Sequence, residues 1–177
     1  AVSGDVEATA WNPAGLFGVQ QRTVALSLNS YLVDSQAGFV SVAFPKGRRV
    51  LAISANYVSY GDLRRTDEEG HNLGTFSAAD LATYLTIAQQ LGPDWLAVGA
   101  NLKAVYSSID EFSSDAYLFD LGLIARGPIQ GMRLGASIAN MGFVRSGYAG
   151  DFKDSLPVHI RLGLSHRPAH MPVPMLL

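Results

Sequence analysis

Taken two residues at a time, most of this chain sorts into an apolar and a polar series. In LPVHIRLGLSHR, Val158, Ile160, Leu162 and Leu164 interleave with His159, Arg161, Gly163 and Ser165. Successive side chains of a strand point to opposite faces, so such a segment has one oily face and one polar face. Leu96, Val98, Ala100, Leu102 and Ala104 stand in the same relation to Gly99, Asn101 and Lys103, as do Tyr117, Phe119, Leu121 and Leu123 to Asp120 and Gly122. Weaker alternation runs through TVALSLNSY, GFVSVAFP, RVLAISANYVSY and MRLGASIANMGFV. The pattern predicts an all-β chain of about eight strands. One segment, FSAADLATYLTIAQQL, fits two periods. Ser77 and Asp80 suit a helix cap, and Leu81, Tyr84, Leu85, Ala88 and Leu91 fall at helical spacing. Leu81, Thr83, Leu85 and Ile87 also oppose Asp80, Ala82, Tyr84 and Thr86. Strand is preferred, because every neighbour is a strand and the following LGPD suits a hairpin turn.

Alternation does not say which face is inside. A soluble sandwich packs its apolar face and wets the polar one; a membrane barrel turns the apolar face to lipid and lines its lumen with the polar one. Three features favour the barrel. The alternating segments run about ten to twelve residues, near the ~9 to 11 that cross a bilayer and above the soluble mode of ~5 to 6. PKGRR, LGPD, RGPIQG and RPAHMPVP read as short turns, whereas GDLRRTDEEGHNLGTF, SSIDEFSS and RSGYAGDFKDS read as longer or more polar loops, and the two kinds alternate along the chain, with VDSQ as the exception. Aromatic residues gather toward the two ends: Phe44 and Trp95 by the short turns, and Tyr31, Tyr57, Tyr60, Phe76, Tyr106, Phe112, Phe143 and Tyr148 by the long loops, which suits two membrane girdles, with Tyr84, Tyr117 and Phe119 as exceptions.

Composition narrows the partners. Charged residues are 16% of the 177, against roughly 25% in ordinary soluble domains. A formal charge of -2 supplies no basic field for nucleic acid. With no cysteine there is no thiol chemistry. No run approaches the ~18 apolar residues of a membrane helix, and AVSGDVEAT lacks the basic start and apolar core of a signal peptide.

Candidate chemistry is sparse. His166 and His170 are four apart, but Pro168 between them prevents the helix that would bring their rings to one metal, and they read as polar turn residues. The charged loop holding Asp62, Arg64, Asp67 and Glu68 lacks the alternating ligands of a calcium loop and reads as surface. No phosphate loop, nucleophile elbow or zinc-protease motif is present, so no catalytic residue, metal or cofactor is assigned. The mid-strand charges Lys103, Asp120, Arg133 and Arg161 all lie opposite the main apolar stripe. In a membrane barrel they must face the lumen, because a cation facing lipid at the midplane costs ~2 to 4 kcal/mol. Opposite signs on nearby strands can pair across that interior.

Ahead of the first strand lies ATAWNPAGLFG, with no charge from Ala8 to Gln21. Pro13 biases Asn12 away from helix, and Gly15 suits the close turn that follows, so Trp11, Asn12, Pro13 and Gly15 form a candidate hinge into the first strand. AWNPAGL resembles the Asn-Pro-Ala segment before the first barrel strand of FadL-related outer-membrane proteins. The succession SYGDLRRTDEEGHNLGTFSAADL, VGANLKAVYSSID, DLGLI, ASIANMG and LPVHIRLGLSHR resembles the PorV/PorQ family of the type IX secretion system, nearer the PorQ type, over nearly the whole chain. The resemblance implies an antiparallel transmembrane β-barrel in a Gram-negative outer membrane. Residues 1–22 would be the end of an N-terminal hatch and 23–177 part of a barrel larger than the strands present, truncated at both ends. It implies a non-catalytic role through protein contacts with the attachment complex. Two alternatives stay open. A FadL-type channel for hydrophobic small molecules expects an apolar pocket beside the N-terminal segment. A soluble β-sandwich binding module expects Leu96, Leu121 and Leu162 buried together, with Lys103 and Arg161 in solvent.

Overall fold

The computed structural model describes residues 4–31, 34–92, 95–148 and 155–167. Eight strands follow two short 3₁₀-helices: β1 Thr23–Ser30, β2 Gln36–Lys46, β3 Arg49–Thr66, β4 Asn72–Gln90, β5 Leu96–Ile109, β6 Phe112–Arg126, β7 Met132–Ser146 and β8 His159–His166. Each pairs antiparallel with the next in a single eight-stranded meander. The two-period segment is β4, and Leu85 faces Ile53 and Leu102 across its two ladders. His166 ends β8; Pro168 and His170 lie outside the described residues.

Two of the three longer loops differ from the sequence expectation; the third, RSGYAGDFKDS, falls mostly in the long connection between Ser146 of β7 and His159 of β8, where 149–154 lie outside the described residues. SSIDEFSS is no loop but a hairpin tip, because Asp110 takes a left-handed conformation (φ 56°) and only Asp110 and Glu111 separate β5 from β6. GDLRRTDEEGHNLGTF is mostly strand. β3 and β4 run 18 and 19 residues and leave only Asp67–His71 as a turn. Asp62 and Arg64 are therefore exposed strand residues of β3, and only Asp67 and Glu68 belong to a loop. At the long-loop end the β3–β4 hairpin also projects beyond its neighbours.

The two faces of the sheet sort as the alternation predicts. Leu26, Ile53, Leu85, Leu102, Leu121 and Leu162 are 69, 59, 56, 59, 49 and 82% exposed. Ala52, Ser54, Thr86, Ala88, Asn101 and Asp120 on the other face are buried. The sandwich expectation therefore fails at Leu121 and Leu162, which are exposed, and at Lys103, which is buried; Arg161 is half-buried.

What covers the polar face is the N-terminal segment. Asp5 caps the first 3₁₀-helix, Val6–Ala10, by accepting from the Glu7 N–H, and Asn12 caps the second, Pro13–Gly18, by accepting from the Ala14 N–H. Val6, Leu16 and Val19 pack on Ala43, Val50, Ala52 and Ala88. The first helix touches β1 and β2, while the neighbouring Trp11 carbonyl accepts from Ser137 Oγ on β7 (3.1 Å) and Arg161 Nη1 on β8 (3.5 Å). A flat sheet would set β2 and β7 about 24 Å apart, from the ~4.8 Å between strands. Val6 to Trp11 spans only about 10 Å of 3₁₀-helix. The sheet is thus rolled around its N-terminal segment.

Candidate functional site

The seat of the segment is a row of residues whose middle four are small. Val50, Ala88, Gly99, Gly122, Ser137 and Arg161 succeed one another in register across β3 to β8, all on the inner face. At the centre Gly99 and Gly122 face each other. A Cβ on Gly99 would overlap the backbone of Pro13 and Ala14, and one on Gly122 would overlap Asn12 Oδ1 and approach Pro13 Cδ to 2.9 Å. These glycines are needed for close approach rather than for a positive φ. Into the space they leave, Asn12 projects its amide and donates to Leu123 O (3.2 Å) and Ala136 O (3.1 Å). One side chain thus caps a helix and fastens it to β6 and β7. Asn12–Pro13 does not turn the chain into β1, as the sequence reading had it; it starts a second helix within the roll, and β1 begins only at Thr23. Gly15 is buried in that helix, where its N–H donates to Asn12 O (2.9 Å) and its carbonyl accepts from Gly4 N–H (3.0 Å).

One row further along, Thr86, Asn101 and Asp120 stand side by side. Lys103 Nζ lies 2.8 Å from Asp120 Oδ1, and both side chains are almost wholly buried. Asn101 Nδ2 joins Asp120 Oδ2 (2.9 Å) to Thr9 O of the segment (2.6 Å). A bulge in β7 opposite Asp120 puts Asn140 in a left-handed conformation (φ 64°), and its N–H donates to Asp120 Oδ1 (2.8 Å). Asn140 Oδ1 accepts from Lys103 Nζ (2.7 Å), and the ammonium lies 5.6 Å from the Tyr84 ring centroid. Such pairing and hydrogen bonding are what a buried charge needs. Asn101 Oδ1 and Thr86 Oγ1 are buried with no partner among the described residues.

The four charges expected to face the lumen all lie on the inner face but serve different places. Lys103 and Asp120 form the buried pair. Arg161 stacks on Trp11, its Cζ 5.7 Å from the ring centroid, and reaches the same residue's carbonyl. Arg133 lies at the short-turn end, opposite Arg126. Trp95, expected in an interfacial girdle, is half-exposed at that end and borders a cavity there. Sequence reasoning missed Asn101, Asn140 and Ser137. Asn101 carried a signal, as a polar residue on a polar face, but its partner Thr9 is 92 residues away.

The long-hairpin end is stitched by polar side chains. Tyr60 Oη donates to Asp80 Oδ2 (2.8 Å), Ser107 Oγ donates to Asp80 Oδ1, and Tyr148 Oη donates to Ser107 Oγ. Arg145 grips Asp115 through two nitrogens at 2.6 and 2.9 Å. In the turn, Asp67 Oδ1 accepts from the backbone N–H of Glu69 (3.1 Å) and His71 (2.7 Å), while Oδ2 meets His71 Nδ1 at 3.0 Å. The backbone N–H of His71 is the first cause of an Asp67 pKa below its ordinary value. Asp67, Glu69 and His71 form a cluster with metal-ligand chemistry, but their mutual hydrogen bonds account for it as a turn.

Beside the segment at the β8 edge lies a cavity of about 440 Å³, bordered by Asp5, Glu7, Ala8, Trp11, Arg161 and Leu162 among others. Its walls are mixed, where the small-molecule channel expects an apolar pocket. Compared with models of known protein families and with curated proteins, the chain matches none.

Proposed function

We propose that this chain is part of an outer-membrane β-barrel of the PorV/PorQ kind, a non-catalytic component of type IX secretion that works through protein contacts at the long-hairpin end. The observation that carries the membrane reading is the inversion of the sheet. Large aliphatic side chains are exposed along all eight strands, and the ion pair is inside. Typical soluble monomers expose apolar patches of only ~300 to 600 Å². Lipid is the medium that makes such a face favourable, and a closed barrel is the way strands satisfy their backbone within it.

Support for the secretion role is the succession of motifs running from Ser59 to Arg167. The β3–β4 hairpin supplies the contact surface, because it projects beyond its neighbours and carries exposed Asp62, Arg64 and Glu68. The pinned segment favours a scaffold over a channel. Asn12 and Asn101 bind it to three strands, and the cavity beside it is charged as well as apolar.

Fractionation of cells making the full-length protein tests both levels. The expected result is recovery in outer membranes, with secretion-system components copurifying after detergent extraction. Recovery in the soluble fraction without detergent overturns the membrane reading. A membrane protein that saturably binds long-chain fatty acids and retains no secretion component replaces the secretion role with transport.

A further inference from the structure

On the outer face, near the long-hairpin end, one register line is uncharged and mostly polar. Ser30, Gln36, Ser59, Ala79, Ser108 and Ser113 are successive cross-strand partners from β1 to β6, and all but Ala79 carry a hydroxyl or an amide. The next outer line toward the short turns holds Leu28, Tyr57, Leu81 and Tyr106, all exposed. On β6 and β7 the change falls one outer position lower, where Asp115 and Arg145 grip each other just beyond the exposed rings of Tyr117 and Phe143.

A second boundary lies at the short-turn end. Lys46, Arg49 and Gln89 are partners on the same face, and Arg49 Nε donates to Gln89 Oε1 (2.9 Å). Between the two boundaries the outer positions of β3, β4 and β5 are apolar or aromatic except Thr83. On β5, β6 and β7 the apolar series runs one position further, to Leu96, Ala125 and Leu134. The band thus steps the same way at both ends and keeps its height, as strands tilted to a membrane require. Arg49 to Ser59 spans about 33 Å of strand at ~3.3 Å per residue. A tilt of ~40° lowers that to about 25 Å, the height of the apolar band on membrane barrels. The edge of a covering protein has no reason to follow such a band from strand to strand.

Beyond the polar line the sides exchange character. A bulge between Ser59 and Asp62, with Gly61 at φ 71°, brings Asp62 and Arg64 to the outer side and turns the paired Leu63 and Phe76 inward.

We infer that the lipid headgroups meet the sheet along the line from Ser30 to Ser113, continued by Asp115 and Arg145, and that the β3–β4 hairpin beyond it stands in water. The inference rests on the membrane reading and adds the level at which the bilayer ends. Tyr57, Tyr106 and Tyr117 then lie where amphipathic rings favour the interface. A protein arriving through water meets Asp62 and Arg64 but is kept from Leu81 by lipid.

The chain contains no cysteine, so each single-cysteine variant carries one spin label. Thr75→Cys, Ser77→Cys, Leu81→Cys and Leu85→Cys sample β4, and Leu102→Cys, Tyr106→Cys and Ser108→Cys repeat the scan on β5. Labelled chains in phosphatidylcholine vesicles, with far-UV dichroism confirming each fold, are read by collision with oxygen, which concentrates in hydrocarbon, and with a water-soluble nickel chelate. The oxygen-to-nickel ratio is expected to fall at least ten-fold from Leu85 to Ser77 and to fall likewise from Leu102 to Ser108. Oxygen dominance persisting at Ser77 and Thr75 overturns the boundary while leaving a membrane protein. Nickel dominance at every position overturns the membrane reading and this inference with it. Weak collision with both reagents at Leu81 and Leu85 shows a second copy covering the face and overturns the lipid assignment.

Discussion

Lys103 and Asp120 lie almost wholly out of solvent, and each holds the other charge in place. Removing one partner strands its counterpart. Asp120→Ala is expected to destabilise the chain by about 3 to 5 kcal/mol, read as a lower urea midpoint in lipid vesicles. Lys103→Met with Asp120→Leu should lose clearly less than the sum of the single changes, because no lone charge remains. A double loss equal to that sum would show that the two groups act independently. Asp67 makes a prediction of opposite exposure. Its pKa is lowered from 3.8 chiefly by the His71 N–H, so its turn bonds are complete above that value and are lost as pH falls through the lowered one. The His71 amide proton resonance should shift over that acid range and stay put in Asp67→Asn. A resonance that moves equally in both chains would remove Asp67 as the cause. The charged partners of this pair and this turn differ in how far the sequence announced them. Lys103 and Asp120 were visible because two charges interrupted otherwise apolar or small strands. Asn140 was not, since a bulge placed its N–H on Asp120 and nothing in IANMG signals a bulge.

The N-terminal segment is an element held by shape as much as by bonds. Gly122→Ala is expected to unseat it, because the added Cβ would overlap the Asn12 amide. Hydrogen exchange should then quicken across residues 4–22 while the β2–β4 ladders keep their protection. Gly92→Ala, where a Cβ meets nothing within 4 Å, is the control. Unchanged exchange in Gly122→Ala would show that the segment is not seated there. Strands were the most legible elements, and even β4 resolved correctly once its neighbours were counted. Their lengths were not legible. In the projecting part of β3 and β4 and at the β5–β6 tip, Ser, Thr, Asp and Arg outnumber the apolar residues Leu63, Leu73, Phe76, Ile109 and Phe112, so the alternation thins out while the strand continues. Alternation reports a difference in surroundings between two faces, and where both faces meet water it reports nothing. The segment itself was legible only as an uncharged prelude with a proline turn. Its docking depends on a row of small residues drawn from four strands, which becomes a row only once the register is known.

At the scale of the whole molecule, the outer face decides between lipid and water. Leu121 sits mid-strand with 49% of its surface exposed. Leu121→Arg is expected to cost ~2 to 4 kcal/mol in a bilayer, as for a cation near the midplane. On a water-facing sheet the same change costs within about 0.5 kcal/mol. Unfolding of the variant in vesicles separates the two, and a change below 1 kcal/mol, about the limit of such a measurement, would argue against a lipid-facing position. The fastening of the N-terminal segment also sets a timetable. Asn12 is bonded to carbonyls 111 and 124 residues downstream, and the Trp11 carbonyl to a side chain 150 residues downstream. Contacts so distant along the chain form slowly, after the loops between them have closed. A segment synthesised ahead of all eight strands is therefore secured only after β6 and β7 are in place, and until then its apolar residues need shelter from some other source.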